Sequence, residues 1–216
     1  MCRSLDLPSD QIRSNTDAEF NRLCRNALGS KKLFCYLDGL DRYWVDRIAD
    51  ATGYRARELA SITPAGCHLD GDAPFISVDC TISKRREHER QYIKPDLAAG
   101  FREFIKDHNR SELIWPNGWY LKATKMMMID LDGIELETEV GRLGMHALRH
   151  THISNVVHFT AREGISNREV MEQCHLSSET LLATYAHNDD QNLDRLVAGT
   201  QRQVDFERDG DGMESL

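Results

Sequence analysis

Apolar residues recur at helical spacing through most of this 216-residue chain, and the alternation typical of a strand is confined to residues 73–94. A helix repeats every 3.6 residues and a strand every two, so the pattern predicts a mainly helical protein with one small antiparallel β-sheet. In DAEFNRLCRNAL (17–28), Phe20, Leu23, Cys24 and Ala27 share a face, with Asp17 at the N-cap. In LDGLDRYWVDRIADATG (37–53), Leu40, Trp44 and Ile48 point inward and Gly53 marks the end. RARELASI (55–62) reads as a short helix stopped by Pro64. APFISVD (73–79) reads as a strand, and ISKRREHERQYIK (82–94) as two strands around a charged turn. Pro95 opens a helix over 95–109, and WPNG (115–118) is a turn. Further helices are expected over 121–129 and 143–160, with a loop at Asp132–Gly133 between them and Gly164 as the later break. Residues 166–174, 177–185 and 192–199 predict three more, the first opened by Ser166 with Glu169 at capping-box spacing.

A chain that is 40% hydrophobic can bury one sizeable core, so residues 17–204 are expected to form one domain. Residues 1–16 form an N-terminal extension and 205–216 an acidic C-terminal tail. No apolar run approaches a membrane span, and MCRSLDLPSD carries no signal-peptide segment, so a cytoplasmic protein without membrane contact is expected. The six cysteines, at 2, 24, 35, 67, 80 and 174, include no CxxC pair and match neither a zinc knuckle nor a disulfide scaffold. Cys24 and Cys80 sit in apolar patterns and read as buried thiols. DLDG (130–133) lacks the remaining ligands of a calcium loop. No metal or organic cofactor is implied.

The densest chemistry lies in GMHALRHTHISNVVHF (144–159). His146 and Arg149 are three apart on a helix, and His150 is four from His146, so all three share a face. Arginine offers forked donors that suit an anionic oxygen cluster. The same residues could instead make a surface ion pair and a set of core histidines. A metal is disfavoured, because Arg149 repels a cation and 144–159 holds no carboxylate. A second cluster, TGYRARELASITP, puts Arg55 at a helix start with Glu58 three residues on, able to orient it. A third, SETLLATYAHND, sets Tyr185 beside His187 with His175 upstream.

Taken in order, TGYRAREL, SKRREHER, HALRHT, CHLSS and ATYAH resemble the signature of the tyrosine recombinase (phage integrase) catalytic domain. Its pattern is TG-x-R-x-x-E-L, a lysine on a β-hairpin, H-x-L-R-H-T, a histidine near SS, and T-x-x-Y-x-H. The resemblance covers roughly 17–200 and implies the integrase-like fold, mainly α with a small antiparallel sheet. It implies catalytic roles for Arg55, Lys84, His146, Arg149, His175 and Tyr185, leaving Arg57 as a neighbour. Arg85, Arg86 and His150 would touch DNA, and Glu58 would support Arg55. Two departures stand out: Cys174 replaces the usual glycine before the late histidine, and His175 lies ten residues before Tyr185, one more than the pattern.

The implied activity is site-specific recombination or integration, in which DNA strands are cleaved and rejoined through a covalent 3′-phosphotyrosyl link. Tyr185 would attack the scissile phosphate. Arg55 and Arg149 would stabilise the non-bridging oxygens, with His175 as a further donor. Lys84 would protonate the leaving 5′ oxygen, and His146 would assist proton transfer at the tyrosine. The partners implied are double-stranded DNA and further copies of the chain, a tetrameric synapse on DNA and a monomer without it. The resemblance also implies a separate helical domain that closes over DNA, which 16 residues cannot supply. NLDRLVAGTQRQV (192–204) resembles the segment such proteins exchange between protomers.

Charge argues the other way. The formal net charge is −8, whereas nonspecific DNA affinity comes from neutralising phosphates. The distribution softens this: KRREHER (84–90) is locally basic, and VDFERDGDGMESL concentrates five acids against one arginine. Two alternatives therefore remain. One is an inactive integrase relic that binds DNA or protein through the same fold. The other is nicking and closing of DNA in the manner of type IB topoisomerases.

Overall fold

The computed structural model describes residues 17–79, 89–131 and 144–163, together with Met171 and Cys174. Among these, six α-helices surround one core: α1 (Asp17–Gly29), α2 (Gly39–Thr52), α3 (Ala56–Leu59), α4 (Pro95–Ile105), α5 (Ala123–Leu131) and α6 (Met145–Glu163). A three-stranded antiparallel sheet lies between α3 and α4, with β1 (Cys67–His68), β2 (Phe75–Val78) and β3 (Glu89–Tyr92) in that order. The architecture is the mainly helical one expected. No helix among the described residues is long and apolar enough to cross a membrane.

The α1 face read from the sequence is the buried one: Phe20, Leu23, Cys24 and Ala27. It packs on α2, whose start is fixed by Asp38 and Asp41. The Asp38 side chain accepts from the Asp41 backbone N–H at 2.9 Å, and the Asp41 side chain accepts from the Asp38 N–H at 3.1 Å. Trp44 and Ile48 are buried as expected, but Leu40 is 46% exposed. Gly39 takes the inward position instead: a Cβ there would lie 2.2 Å from the Ala27 carbonyl oxygen, so α1 and α2 touch at a residue without a side chain. Leu40, about 100° further round, is turned outward.

The remaining differences concern ends. The short helix runs over Ala56–Leu59, and Pro64 opens a 3-10 turn (Pro64–Gly66), where its missing N–H is no loss. Helix α4 stops at Ile105, where the polar run KDHN offers no apolar face. Helix α5 begins at Ala123, after a 3-10 turn (Trp119–Lys122). Of the two strands expected over 82–94, Glu89–Tyr92 is observed; 80–88, the Asp132–Gly133 loop, the Gly164 break and the helices over 177–185 and 192–199 lie outside the described residues. So do nearly all of 166–174, and Cys80. The two-residue strand β1 has no periodicity to read.

Burial of Ile76 and Val78 on β2, with Ile93 just beyond β3, lays the sheet on the helices. Tyr54 joins sheet to helices, its hydroxyl donating to the Ile76 carbonyl at 2.8 Å. Trp44, Phe101, Phe104 and Trp115 form an aromatic cluster, with ring centroids 5.4 to 5.9 Å apart for the contacts Trp44–Phe101, Trp44–Phe104 and Phe101–Trp115. The interior also holds a polar pair. Arg42 of α2 forks onto Asp130 of α5, at 2.7 Å from Nε and 2.9 Å from Nη2, and both side chains are fully buried. Its Nη1 donates to the carbonyls of Lys32 and Leu37. Removing one partner of such a pair strands a buried charge, at a cost of about 3–5 kcal/mol.

Candidate active site

Helix α6 carries the densest chemistry. Its first half packs Met145 and Leu148 into the main core; its second half packs Ile153 and Val157 against Cys174. Arg149 is therefore held on a buried face, 8% exposed. Its Nη1 donates to the Gly53 carbonyl at 2.5 Å and its Nη2 to the Cys174 carbonyl at 3.2 Å. One guanidinium thus ties the end of α2 to the residue preceding His175.

Gly53 has to be glycine for two reasons. It takes the left-handed conformation, φ 64°, that closes α2, with its N–H donating to the Ala49 carbonyl at 2.8 Å. The His152 ring also lies against its Cα: a Cβ would come within 2.6 Å of His152 Cδ2.

Two residues on, Arg55 enters α3. Its backbone N–H donates to Glu58 Oε2 at 2.7 Å, and its Nη1 donates to Glu58 Oε1 at 2.9 Å. The Glu58 side chain is 3% exposed and that of Arg55 32%. A buried carboxylate needs such donors. Glu58 receives two and in return fixes one edge of the guanidinium, while the rest of Arg55 reaches the surface. Arg57 is exposed.

A cleft of about 600 Å³ lies alongside, between the starts of α3, α5 and α6. Ala56, Tyr120, Lys122, Lys125, Gly144 and His146 line it, so the residue after Arg55 and the first histidine of HALRH share one wall. His146 is exposed and His150 half-buried, with ring centroids 6.5 Å apart. Burial, then the neighbouring His146 and Arg149, hold His150 below the usual imidazole range, which favours its neutral form.

Arg149 thus meets Gly53, two residues before the Arg55–Glu58 pair, and His146 lines the same cleft as Ala56. Lys84, Arg85, Arg86, His175 and Tyr185 lie outside the described residues. Five contributors escaped the sequence reading. The Gly53 and Cys174 carbonyls carry no sequence signal. His152 sat inside the HALRHTH motif without a role. Lys122 and Lys125, three apart in WYLKATK, were a visible basic pair at a helix start. Among the described residues no three metal-ligating side chains cluster. What the arrangement offers is two arginines, Arg149 buried and Arg55 partly exposed, whose forked donors suit a tetrahedral oxyanion.

No family model matches the chain, and no curated protein matches it. Solved structures do. The XerH site-specific recombinase, in a post-cleavage complex with a palindromic difH substrate, superposes with a TM-score of 0.59 at 15% identity, over 87% of this chain and 53% of that one. The XerA recombinase gives 0.59 at 15% identity, over 89% of this chain and 66% of that one. The catalytic domain of bacteriophage HP1 integrase gives 0.56 at 18% identity, over 87% and 95%. The chain spans about half of the XerH chain and two-thirds of the XerA chain, but nearly all of the HP1 catalytic domain. The chain shares its fold with tyrosine recombinase and integrase catalytic domains.

Proposed function

We propose that this chain is a tyrosine recombinase catalytic domain that cleaves and rejoins double-stranded DNA through a 3′-phosphotyrosyl intermediate. The observation that carries the reading is the bond from Arg149 to the Gly53 carbonyl. It joins TGYR to HALRH, two motifs remote in sequence, on a fold shared with recombinase and integrase catalytic domains.

In this reading Arg55 and Arg149 bind the two non-bridging oxygens of the scissile phosphate, and His175 adds a donor. The Tyr185 oxygen bonds to phosphorus as the bond to the 5′ oxygen breaks. The tyrosine proton passes to His146, and Lys84 supplies a proton to the leaving oxygen. A phenol with a pKa of about 10 needs such a base at neutral pH. Religation reverses each step, so neither metal nor nucleotide is consumed. Arg85, Arg86 and His150 contact DNA, and the working unit is a homo-oligomer on DNA.

The net charge of −8, which weakens DNA affinity, favours a second reading, an integrase-fold module that no longer cuts and that binds a protein, or DNA only weakly. A nicked suicide DNA substrate separates the two. Recombinase chemistry predicts a covalent protein–DNA band on a denaturing gel, lost in Tyr185→Phe; binding without any such band across recombination-site DNAs supports the module.

A further inference from the structure

We propose that His152 is a positioning residue for this site: it wedges the Gly53 turn against α6 so that the Gly53 carbonyl meets Arg149 and Arg55 is held at one depth. The inference rests on the phosphate-clamp reading above.

His152 lies three residues after Arg149, on the same face of α6. The two side chains grip the same end of α2 at different points. Arg149 takes the Gly53 carbonyl at 2.5 Å, and His152 Nδ1 lies 3.1 Å from the Asp50 carbonyl oxygen. Asp50 is among the last four residues of α2, whose carbonyls have no intrahelical donor of the usual kind. The Ala49 carbonyl is met by the Gly53 N–H. The Asp50 carbonyl is met by His152, and a carbonyl can only accept, so Nδ1 carries the proton of this bond.

The ring also acts by its bulk. An ideal Cβ on Gly53 would lie 2.6 Å from Cδ2, 3.0 Å from Cγ and 3.4 Å from Cβ of His152. The imidazole therefore fills the space into which the turn would otherwise sink. Arg55 follows Gly53 by two residues and is anchored to Glu58, so any shift of the turn moves the guanidinium that faces the phosphate. His152 touches no reacting atom; it acts through Gly53.

Two substitutions separate its two contributions. His152→Phe keeps a ring against Gly53 and removes the Nδ1 donor. His152→Asn keeps an N–H donor near Nδ1 and removes much of the ring. With the full chain and a nicked suicide DNA, His152→Phe should lower the saturating rate of adduct formation about fivefold, the weight of one ordinary hydrogen bond. The DNA concentration giving half the maximal rate should be unchanged, and His152→Asn should recover part of the rate. A lower melting temperature with an unchanged saturating rate would mean an ordinary core residue and overturn the proposal. If the wild-type chain forms no adduct on any DNA, the clamp reading fails, and nuclear magnetic resonance decides the positioning role separately. The Gly53 amide and Arg149 Nε–H signals should then shift together in His152→Phe and return toward wild type in His152→Asn. Signals unmoved in both variants would overturn it.

Discussion

Replacing Asp46 by asparagine should stabilise this protein relative to wild type by an amount that grows with pH. Asp46 lies in the middle of α2, fully buried, and among the described residues neither carboxylate oxygen has a hydrogen-bond partner. The cation that acts on it, the Arg42 guanidinium, is already forked onto Asp130. Two carboxylates thus share one buried guanidinium, with the Cys24 thiol of α1 close by. Burial raises the Asp46 pKa well above the usual carboxylate range, the charge of Asp130 raises it further, and Arg42 opposes both. The sign follows from linkage. A folded-state pKa above the unfolded value gives stability that is fully present below the unfolded pKa and is lost as pH climbs through the folded one. Between those two values the native state holds a proton that the unfolded chain has released, so stability falls by about 1.4 kcal/mol per pH unit. Asparagine removes that slope and leaves the rest of the titration in place, including that of Asp50, which burial pushes up to about 6. For a chain of this size each kcal/mol moves Tm by about 2–4 °C, so the gap between variant and wild type should widen by about 3–6 °C per pH unit above about pH 4. Thermal melts followed by circular dichroism in a pH series measure it. A gap that is constant with pH, or that narrows as pH rises, would refute a protonated, partnerless Asp46.

Gly53→Ala should destabilise the fold, by at least ~1–2 kcal/mol for the left-handed backbone alone, with the clash against His152 added; chemical denaturation reads it. Arg149→Lys should cut adduct formation by about 100-fold or more, because a point-charge ammonium lacks the rigid planar fork that spans the Gly53 and Cys174 carbonyls from two separate nitrogens while still presenting a donor to a phosphate oxygen. Cys24 and Cys67, whose thiols burial pushes up to about 12, should stay unalkylated by iodoacetamide in the native protein near pH 8, as mass spectrometry of the digested product would report.

Periodicity carried the architecture well wherever a helix has one buried face, as α1 does. It misled at Leu40, because α2 is enclosed on several sides and meets α1 through Gly39, a residue that no apolar pattern marks. It had nothing to say about Arg42, Asp46 and Asp130, which read as surface charges until the fold encloses them. At the site, the pairing of Arg55 with Glu58 was legible in the sequence, since the two stand three apart at a helix start. Contributions made through backbone carbonyls, at Gly53 and Cys174, depend on long-range packing of α6 against the end of α2 and have no residue-type signature. His152 was hidden differently, since its neighbours in HALRHTH offered a chemical role and it offered a steric one.

In the proposed reaction Tyr185 attacks a phosphate bound by Arg55 and Arg149. Trapping the protein on a nicked suicide DNA, digesting it with trypsin and sequencing the nucleotide-bearing peptide by mass spectrometry tests that claim most directly. The account predicts a single adduct, joined at Tyr185 to a 3′ phosphate and absent when Arg55 or Arg149 is replaced by alanine. An adduct on a different residue, or one that forms as readily without either arginine, would contradict it.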